Sequence, residues 1–226
     1  MNYSVFTSHY FTDWILTATT LLSLVISWKR RAHKQLFLIR IYISASLFTD
    51  IFFTLTDLLF SKRIFWFKIN CIILNLYSIL EIFLISVFIC NAIERKAFNK
   101  AIKIILSIYM VFCISIWLYF PDAITSDLHN LFALEGILIA IFCLLYFYEI
   151  IHTGFPTKIS EDSNFIAICG ILFYFSASVP YYFSSYNFFD LSPDFLIIYD
   201  CMNYFFYTVL FLTFIKAYLC PIRIQK

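Results

Sequence analysis

The sequence predicts an all-α membrane protein, a compact bundle of seven transmembrane helices, and three observations lead to this prediction. Apolar residues make up 62% of the 226-residue chain, against about 45–50% in an average globular domain. Charged residues make up only 13%, and the mean hydropathy is +0.86. The apolar residues fall into seven segments, each close to the roughly 20 residues that a membrane-crossing helix needs. Such a chain has too little polar surface to cover a water-soluble core.

The seven segments form a single predicted transmembrane domain that covers residues 1–226. Period-two alternation of polar and apolar residues, which marks a membrane β-barrel, is absent from them. Aromatic residues lie at many of their ends, as expected of side chains that anchor a helix at the membrane interface. The breaks between them are short, which is typical of a compact helical bundle. The predicted spans are 11–28, 36–60, 65–92, 101–120, 128–151, 164–186 and 196–219.

The basic residues predict how the chain is oriented in the membrane. Of the sixteen Lys and Arg residues, thirteen lie at one end of the predicted bundle, and only Lys62, Arg63 and Lys68 lie at the other. Because basic loops stay in the cytoplasm, this distribution predicts an N-terminus outside and a C-terminus inside the cell. The first residues, MNYSVFTSHYFTDW, lack the basic segment and the cleavage site of a signal peptide, so we expect span one to be retained.

Several functions do not fit the composition and the motifs. A net charge of +2 argues against a nucleic-acid-binding protein, and three glycines leave no glycine-rich phosphate loop. The seven cysteines are scattered singly, without the Cys-x-x-Cys pairs of metal or redox sites. The four histidines lack the spacing of a zinc hydrolase, and no Gly-x-Ser-x-Gly nucleophile segment is present. We therefore predict no enzyme, no cofactor and no metal site; an acid-pair hydrolase is the enzymatic alternative that stays open.

Acidic residues inside the apolar spans are the most informative feature. A charged side chain at the centre of a membrane helix costs at least about 2.5–3.5 kcal/mol, so such groups are expected to face the bundle interior or a water-filled cavity. By the predicted threading, one acid lies near the middle of span three and five lie toward the outer half, where two could be merely interfacial. The six are Asp13, Asp50, Asp57, Glu81, Glu135 and Asp200.

Helical spacing places polar side chains beside these acids. Asp50 lies on a face of Ser and Thr residues in span two, Glu81 shares a face with Tyr77, and Asp200 shares a face with Asn203. The alternative is that these groups only hold helices together through interhelical hydrogen bonds, each worth about 0.6–2 kcal/mol. The predicted ligand, proton or cation site consists of Asp50, Tyr77, Glu81, Glu135, Asp200 and Asn203.

Asp50 and Glu81 are expected to lie at a similar depth in the membrane. Asp50 follows the cytoplasmic Gln35 by fifteen residues, and Glu81 follows the external Phe65 by sixteen. The short connection 61–63 makes spans two and three antiparallel neighbours. The sequence therefore predicts that these two carboxyls share a pocket.

Four stretches in spans three to seven carry a further pattern, with an acid in span three and an acid in span five. In span six the pattern consists of Phe165, Gly170 and Tyr174. The stretches are LNLYSILEIFLISVFI (74–89), LEGILIAIFCLLYFYEI (134–150), SNFIAICGILFYFSAS (163–178) and YFFYTVLFLTFIKAYLC (204–220). This part of the chain resembles an uncharacterised family of small seven-span membrane proteins from Bacteroidota. The resemblance implies a location in the bacterial inner membrane and no known activity.

Three kinds of function compete. The first is a membrane sensor or accessory subunit, whose outward-facing acidic cavity binds a small cationic ligand and which acts through a cytoplasmic or membrane protein partner. The second is a secondary transporter or a cation or proton pathway through the buried acids, although the chain shows no internal repeat. The third is a structural protein without a ligand. In each case the partner that the composition requires is the lipid bilayer, and no nucleic acid is expected.

Overall fold

The structure, a computed structural model, describes residues 3–30, 36–60, 64–125, 129–154, 159–185 and 193–221. Within these residues the chain is all-helical, with two short 3-10 helices at Pro121–Thr125 and Ile159–Glu161 and no strand. The seven α-helices are α1 (Tyr3–Lys29), α2 (Phe37–Phe60), α3 (Ile64–Ala92), α4 (Lys96–Tyr119), α5 (His129–Thr153), α6 (Ser163–Ser185) and α7 (Pro193–Leu219).

Six of these helices are long and apolar enough to cross a membrane. The apolar part of α1, Trp14–Lys29, is shorter than the other six. The predicted all-helical, multi-pass membrane character is thus confirmed, whereas the seventh crossing and the orientation of the termini stay predictions. The six segments are Phe37–Thr56, Phe65–Ala92, Lys96–Tyr119, Asn130–Thr153, Ser163–Phe183 and Cys201–Leu219.

Local sequence signals set several helix ends. Pro121 follows the end of α4, where its missing N–H prevents the helix from continuing. Gly154 ends α5 in the left-handed region at φ +99°, which favours glycine. The Asp162 carboxylate accepts a 2.9 Å hydrogen bond from the Phe165 N–H and so caps the start of α6. The largest differences from the predicted spans are at two helix starts: α1 begins at Tyr3 rather than at residue 11, and α4 begins at Lys96 rather than at residue 101.

Six helices form a closed ring, and α4 lies outside it. The contacts around the ring run from α1 to α2, α3, α5, α6, α7 and back to α1, while α4 packs against α3 and the 3-10 helix Pro121–Thr125. Large apolar side chains on the outer side of α4, such as Ile108, Val111 and Leu118, are exposed. An exposed apolar surface of this kind on a membrane-crossing helix faces lipid.

Close packing, rather than burial from water, has to hold such helices together, because lipid is as apolar as their side chains. Gly170 illustrates this between α6 and α7, since a Cβ placed there would overlap the hydroxyl of Thr213. Between α5 and α6, a Cβ at Gly136 would lie 2.9 Å from Val179 Cγ2. Glycine at these two positions lets the backbones approach closely.

Basic residues mark one end of the bundle, where α1, α3, α5 and α7 finish and α2, α4 and α6 begin; we call it the basic end. Here the Tyr218 hydroxyl donates a 2.6 Å hydrogen bond to the Leu36 carbonyl, so the last turn of α7 is tied to the start of α2. The described basic residues at this end include Lys29, Arg40, Lys100 and Lys216.

Candidate functional site

Glu81 lies inside the ring and accepts hydrogen bonds from two tyrosines. Its side chain is 9% exposed. Glu81 Oε1 accepts a 2.7 Å bond from the Tyr42 hydroxyl and a 3.3 Å bond from the Tyr77 hydroxyl. Tyr42 lies on α2 and is fully buried, while Tyr77 lies one turn before Glu81 on α3. Two hydroxyl donors therefore converge on one carboxyl oxygen.

The hydrogen bonds continue from Tyr77 to a third helix. The Tyr207 hydroxyl on α7 lies 3.2 Å from the Tyr77 hydroxyl and 2.7 Å from Ser46 Oγ on α2. Tyr42 and Ser46 are four residues apart, as are Tyr77 and Glu81, so each pair lies on one helix face. We call the group Tyr42, Ser46, Tyr77, Glu81 and Tyr207 the acid–tyrosine cluster.

The other predicted site residues on α2 and α7 lie beyond this cluster, away from the basic end. Asp50 lies one turn after Ser46, is half-buried, and is close enough to interact electrostatically with Glu81 and Tyr207. Asn203 lies one turn before Tyr207 and is half-buried. Asp200 belongs to α7, but its side chain lies outside the described residues, as do those of Asp13 and Asp57.

Glu135 contacts a face of α3 that neighbours the face of the cluster. Its side chain on α5 is 2% exposed, and its Oε2 accepts a hydrogen bond from Ser78 Oγ. Its Oε1 has no hydrogen-bond partner among the described residues. Glu135 and Glu81 interact electrostatically, although they belong to separate hydrogen-bonded groups. The structure thus places the two carboxyls on neighbouring faces of α3 rather than in one site.

Neither of these two carboxyls contacts a basic side chain in the part of the chain that the structure describes. Buried charges in proteins are normally paired or bind a metal, because removing an unpaired charge from water costs many kcal/mol. Within the same residues no three His, Cys, Asp or Glu side chains are grouped to hold a metal ion. A buried carboxyl in this situation is stable when it holds a proton or when a cation binds beside it.

Apolar side chains cover the cluster toward the basic end. The Tyr42 ring stacks on Phe211, with centroids 6.4 Å apart, and meets Phe214 edge-on at 5.9 Å. Ile85 and Phe88 follow Glu81 by one and two turns on the same face of α3. These four apolar residues are fully buried, and we call Ile85, Phe88, Phe211 and Phe214 the apolar seal.

A cavity of about 280 Å³ lies on the other side of this seal, at the basic end. Phe88 belongs both to the seal and to the cavity wall, and two carboxamides, of Asn91 and Asn164, also line the cavity. Polar groups therefore lie on both sides of the seal. The remaining lining residues are Phe37, Leu38, Val87 and Ala92.

Sequence reasoning missed two contributions. Tyr42 was not predicted because a lone tyrosine in an apolar span gives no sign of which helix it meets. Glu149 was also missed; it is 4% exposed, and its Oε1 accepts hydrogen bonds of 2.8 and 3.1 Å from the backbone N–H groups of Glu94 and Arg95. This carboxylate on α5 holds the connection between α3 and α4, which explains why α4 begins as early as Lys96.

The chain matches no family model, no curated protein and no solved structure. The resemblance to small seven-span proteins of Bacteroidota therefore stays a prediction. Function has to be inferred from the geometry of the acid–tyrosine cluster.

Proposed function

We propose that the protein is a non-enzymatic membrane sensor or accessory subunit that binds a proton or a small cation at its buried carboxyls and acts through a protein partner. The observation that supports this most is the environment of Glu81, which is buried, bonded to two tyrosines and without a basic partner among the described residues. Ionisable groups inside a membrane bundle typically mark proton or ion sites.

The cluster also suggests how ligand binding changes the helix packing at the basic end. A proton or cation on Glu81 changes which of its oxygens can accept the bonds from Tyr42 on α2 and Tyr77 on α3, and Tyr77 in turn contacts Tyr207 on α7. The same helices α2 and α7 meet again at the basic end through Tyr218 and Leu36. Binding at the cluster therefore biases the packing of a helix pair that reaches the surface where a partner would bind.

The ligand reaches the cluster from the end opposite to the basic end. The apolar seal covers the cluster on the basic side, whereas half-buried Asp50 and Asn203 continue the polar groups in the other direction. Because the predicted threading puts thirteen of the sixteen basic residues on the side of the basic end, that end is cytoplasmic and the site faces outward. In a bacterium this arrangement belongs to the inner membrane.

Reporter fusions test this orientation. Fusions after Lys34, Lys100 and Lys226 should report the cytoplasm, because basic segments are retained there, while fusions near Asp122 and Asp190 should report the exterior. Paired alkaline phosphatase and fluorescent-protein fusions at each position provide the measurement. An external signal at Lys34 together with a cytoplasmic one at Asp122 contradicts the orientation.

A secondary transporter or a proton or cation pathway is the second candidate. The cavity at the basic end favours it, because Phe88 alone belongs both to that cavity wall and to the seal over the cluster. Movement of the four side chains of the seal, Phe88 among them, would connect the two polar regions across the membrane. Alternating access of this type needs a site that is covered from one side at a time.

Flux measurements separate the two functions. The full chain in liposomes that contain a pH-sensitive dye or a cation-sensitive dye should show no proton or cation flux above empty liposomes if it is a sensor, because the apolar seal closes the path. A pathway should instead produce flux that Glu81→Gln abolishes. Flux that persists unchanged in Glu81→Gln contradicts a role of this carboxyl in a proton or cation pathway.

A further inference from the structure

A shallow, open groove between described side chains of α4 runs along the exposed face of this helix at the basic end, away from Glu81 and Glu135. Its volume is about 610 Å³. Three exposed lysines at positions i, i+4 and i+7 lie along it, and the two isoleucines beyond them are exposed as well. The lining residues are Lys96, Asn99, Lys100, Lys103, Ile104, Ser107 and Ile108.

The order of these residues along α4 matches the order of groups in a lipid. Lys96 and Lys103 are about 10 Å apart along the helix axis, at 1.5 Å per residue. They lie in the first two turns of a membrane-crossing helix, at the level where headgroups meet the hydrocarbon. Ile104 and Ile108 continue toward the membrane centre, beside the exposed Val111.

Other groups near the groove already have partners. The Arg95 guanidinium lies 5.5 Å from the centre of the Phe98 ring. Glu149 occupies the backbone N–H groups of Glu94 and Arg95, so these donors are not available to a ligand. Asn99 donates its amide to the Ile93 carbonyl at 3.0 Å. The three lysine ammonium groups are the cationic donors among the residues that line the groove, while the Arg95 guanidinium lies outside this lining.

We propose that this groove is a binding site for an anionic glycerophospholipid, with the phosphate at Lys96, Lys100 and Lys103 and an acyl chain along Ile104 and Ile108. Three ammonium groups attract a phosphate diester that carries a net negative charge, and basic residues beside a membrane helix bind anionic headgroups in this way. A zwitterionic choline lipid binds more weakly, because the lysines repel its quaternary ammonium. The apolar half of the groove selects a lipid over a free anion.

Native mass spectrometry of the full chain in detergent, titrated with phosphatidylglycerol or phosphatidylcholine, tests the site. We expect phosphatidylglycerol to bind preferentially, and the triple variant K96Q/K100Q/K103Q to reduce its affinity at least about tenfold. The matched control K29Q/R30Q/K216Q removes the same number of charges from exposed positions at the same end and should leave the affinity within about twofold. The variant K96R/K100R/K103R keeps the charge and should retain binding.

Each other outcome overturns the proposal. Equal losses in the two glutamine triples would show a general charge effect instead of a site. Equal binding of phosphatidylcholine would show that the lysines do not select an anionic headgroup. Competition by inorganic phosphate at the same concentration as the lipid would identify a free-anion site. None of these outcomes depends on the function proposed for Glu81.

Discussion

Glu81→Gln should abolish the dependence of thermal stability on protons or cations while the protein still folds. The glutamine carbonyl can accept the same bonds from Tyr42 and Tyr77, but the side chain no longer carries a charge or exchanges a proton. In wild type, a ligand that binds only the folded state raises stability, by about 2.7 kcal/mol at a hundredfold excess over its Kd. The measurement is the Tm in detergent across pH and across a panel of cations and amines.

The control for this variant is Glu94→Gln, which makes the same chemical change at an exposed acid outside the cluster. It should keep the wild-type dependence on ligand. Equal behaviour of Glu81→Gln and wild type under every condition would show that Glu81 only holds helices together.

Glu81→Leu tests how much Glu81 contributes to folding stability. It leaves the buried Tyr42 hydroxyl without its acceptor, so it should destabilise the protein by about 1–3 kcal/mol. Adding Tyr42→Phe removes the unsatisfied hydroxyl and should recover part of this loss. Failure of the double variant to recover any stability would contradict the hydrogen bond between these two residues.

Among substitutions that add a single methyl group, Gly170→Ala should cause the largest loss of stability. The added methyl group overlaps Thr213 Oγ1 and lies 2.7 Å from Thr213 Cβ, so α6 and α7 have to move apart. Overpacking of this kind costs about 1–3 kcal/mol, and more where backbones cannot relax. The same two helices hold Tyr174 and Tyr207 with ring centroids 5.0 Å apart, so the displacement also reaches the cluster. The measurement is again Tm.

Gly136→Ala is the matched control for this close approach. Its methyl group would meet Val179 Cγ2 at 2.9 Å, a side-chain contact that a small rotation relieves, so the Tm should fall less. Thr213→Gly in the Gly170→Ala background should restore part of the stability, since it opens the space opposite the new methyl group. An unchanged Tm in Gly170→Ala would contradict the helix packing described above.

The sequence predicted the helical architecture because composition and span length depend on the membrane, not on tertiary contacts. It also predicted that Glu81, Tyr77 and Glu135 belong to the interior, since a charge facing lipid is costly. It did not predict that Tyr42 and Tyr207 complete the cluster. Their roles depend on which helices are neighbours, and apolar spans of similar composition carry little information about that order.

The predicted pairing of Asp50 with Glu81 came from membrane depth and from the short connection between spans two and three. The structure brings the two close enough for an electrostatic interaction, but the hydrogen bonds of Glu81 go to tyrosines. The cap that Glu149 provides was not predicted either, because it depends on contacts between residues more than fifty positions apart.

Infrared difference spectroscopy tests the central claim most directly, namely that the buried Glu81 carboxyl takes up a proton or a cation. Spectra of the full chain in lipid, recorded between two pH values and with and without added cation, report the C=O stretch of a protonated carboxyl. The account predicts a difference band that shifts in deuterated water, disappears in Glu81→Gln and stays in Glu94→Gln. A carboxyl band that never changes in wild type, or one that keeps its full intensity in Glu81→Gln, would contradict the claim.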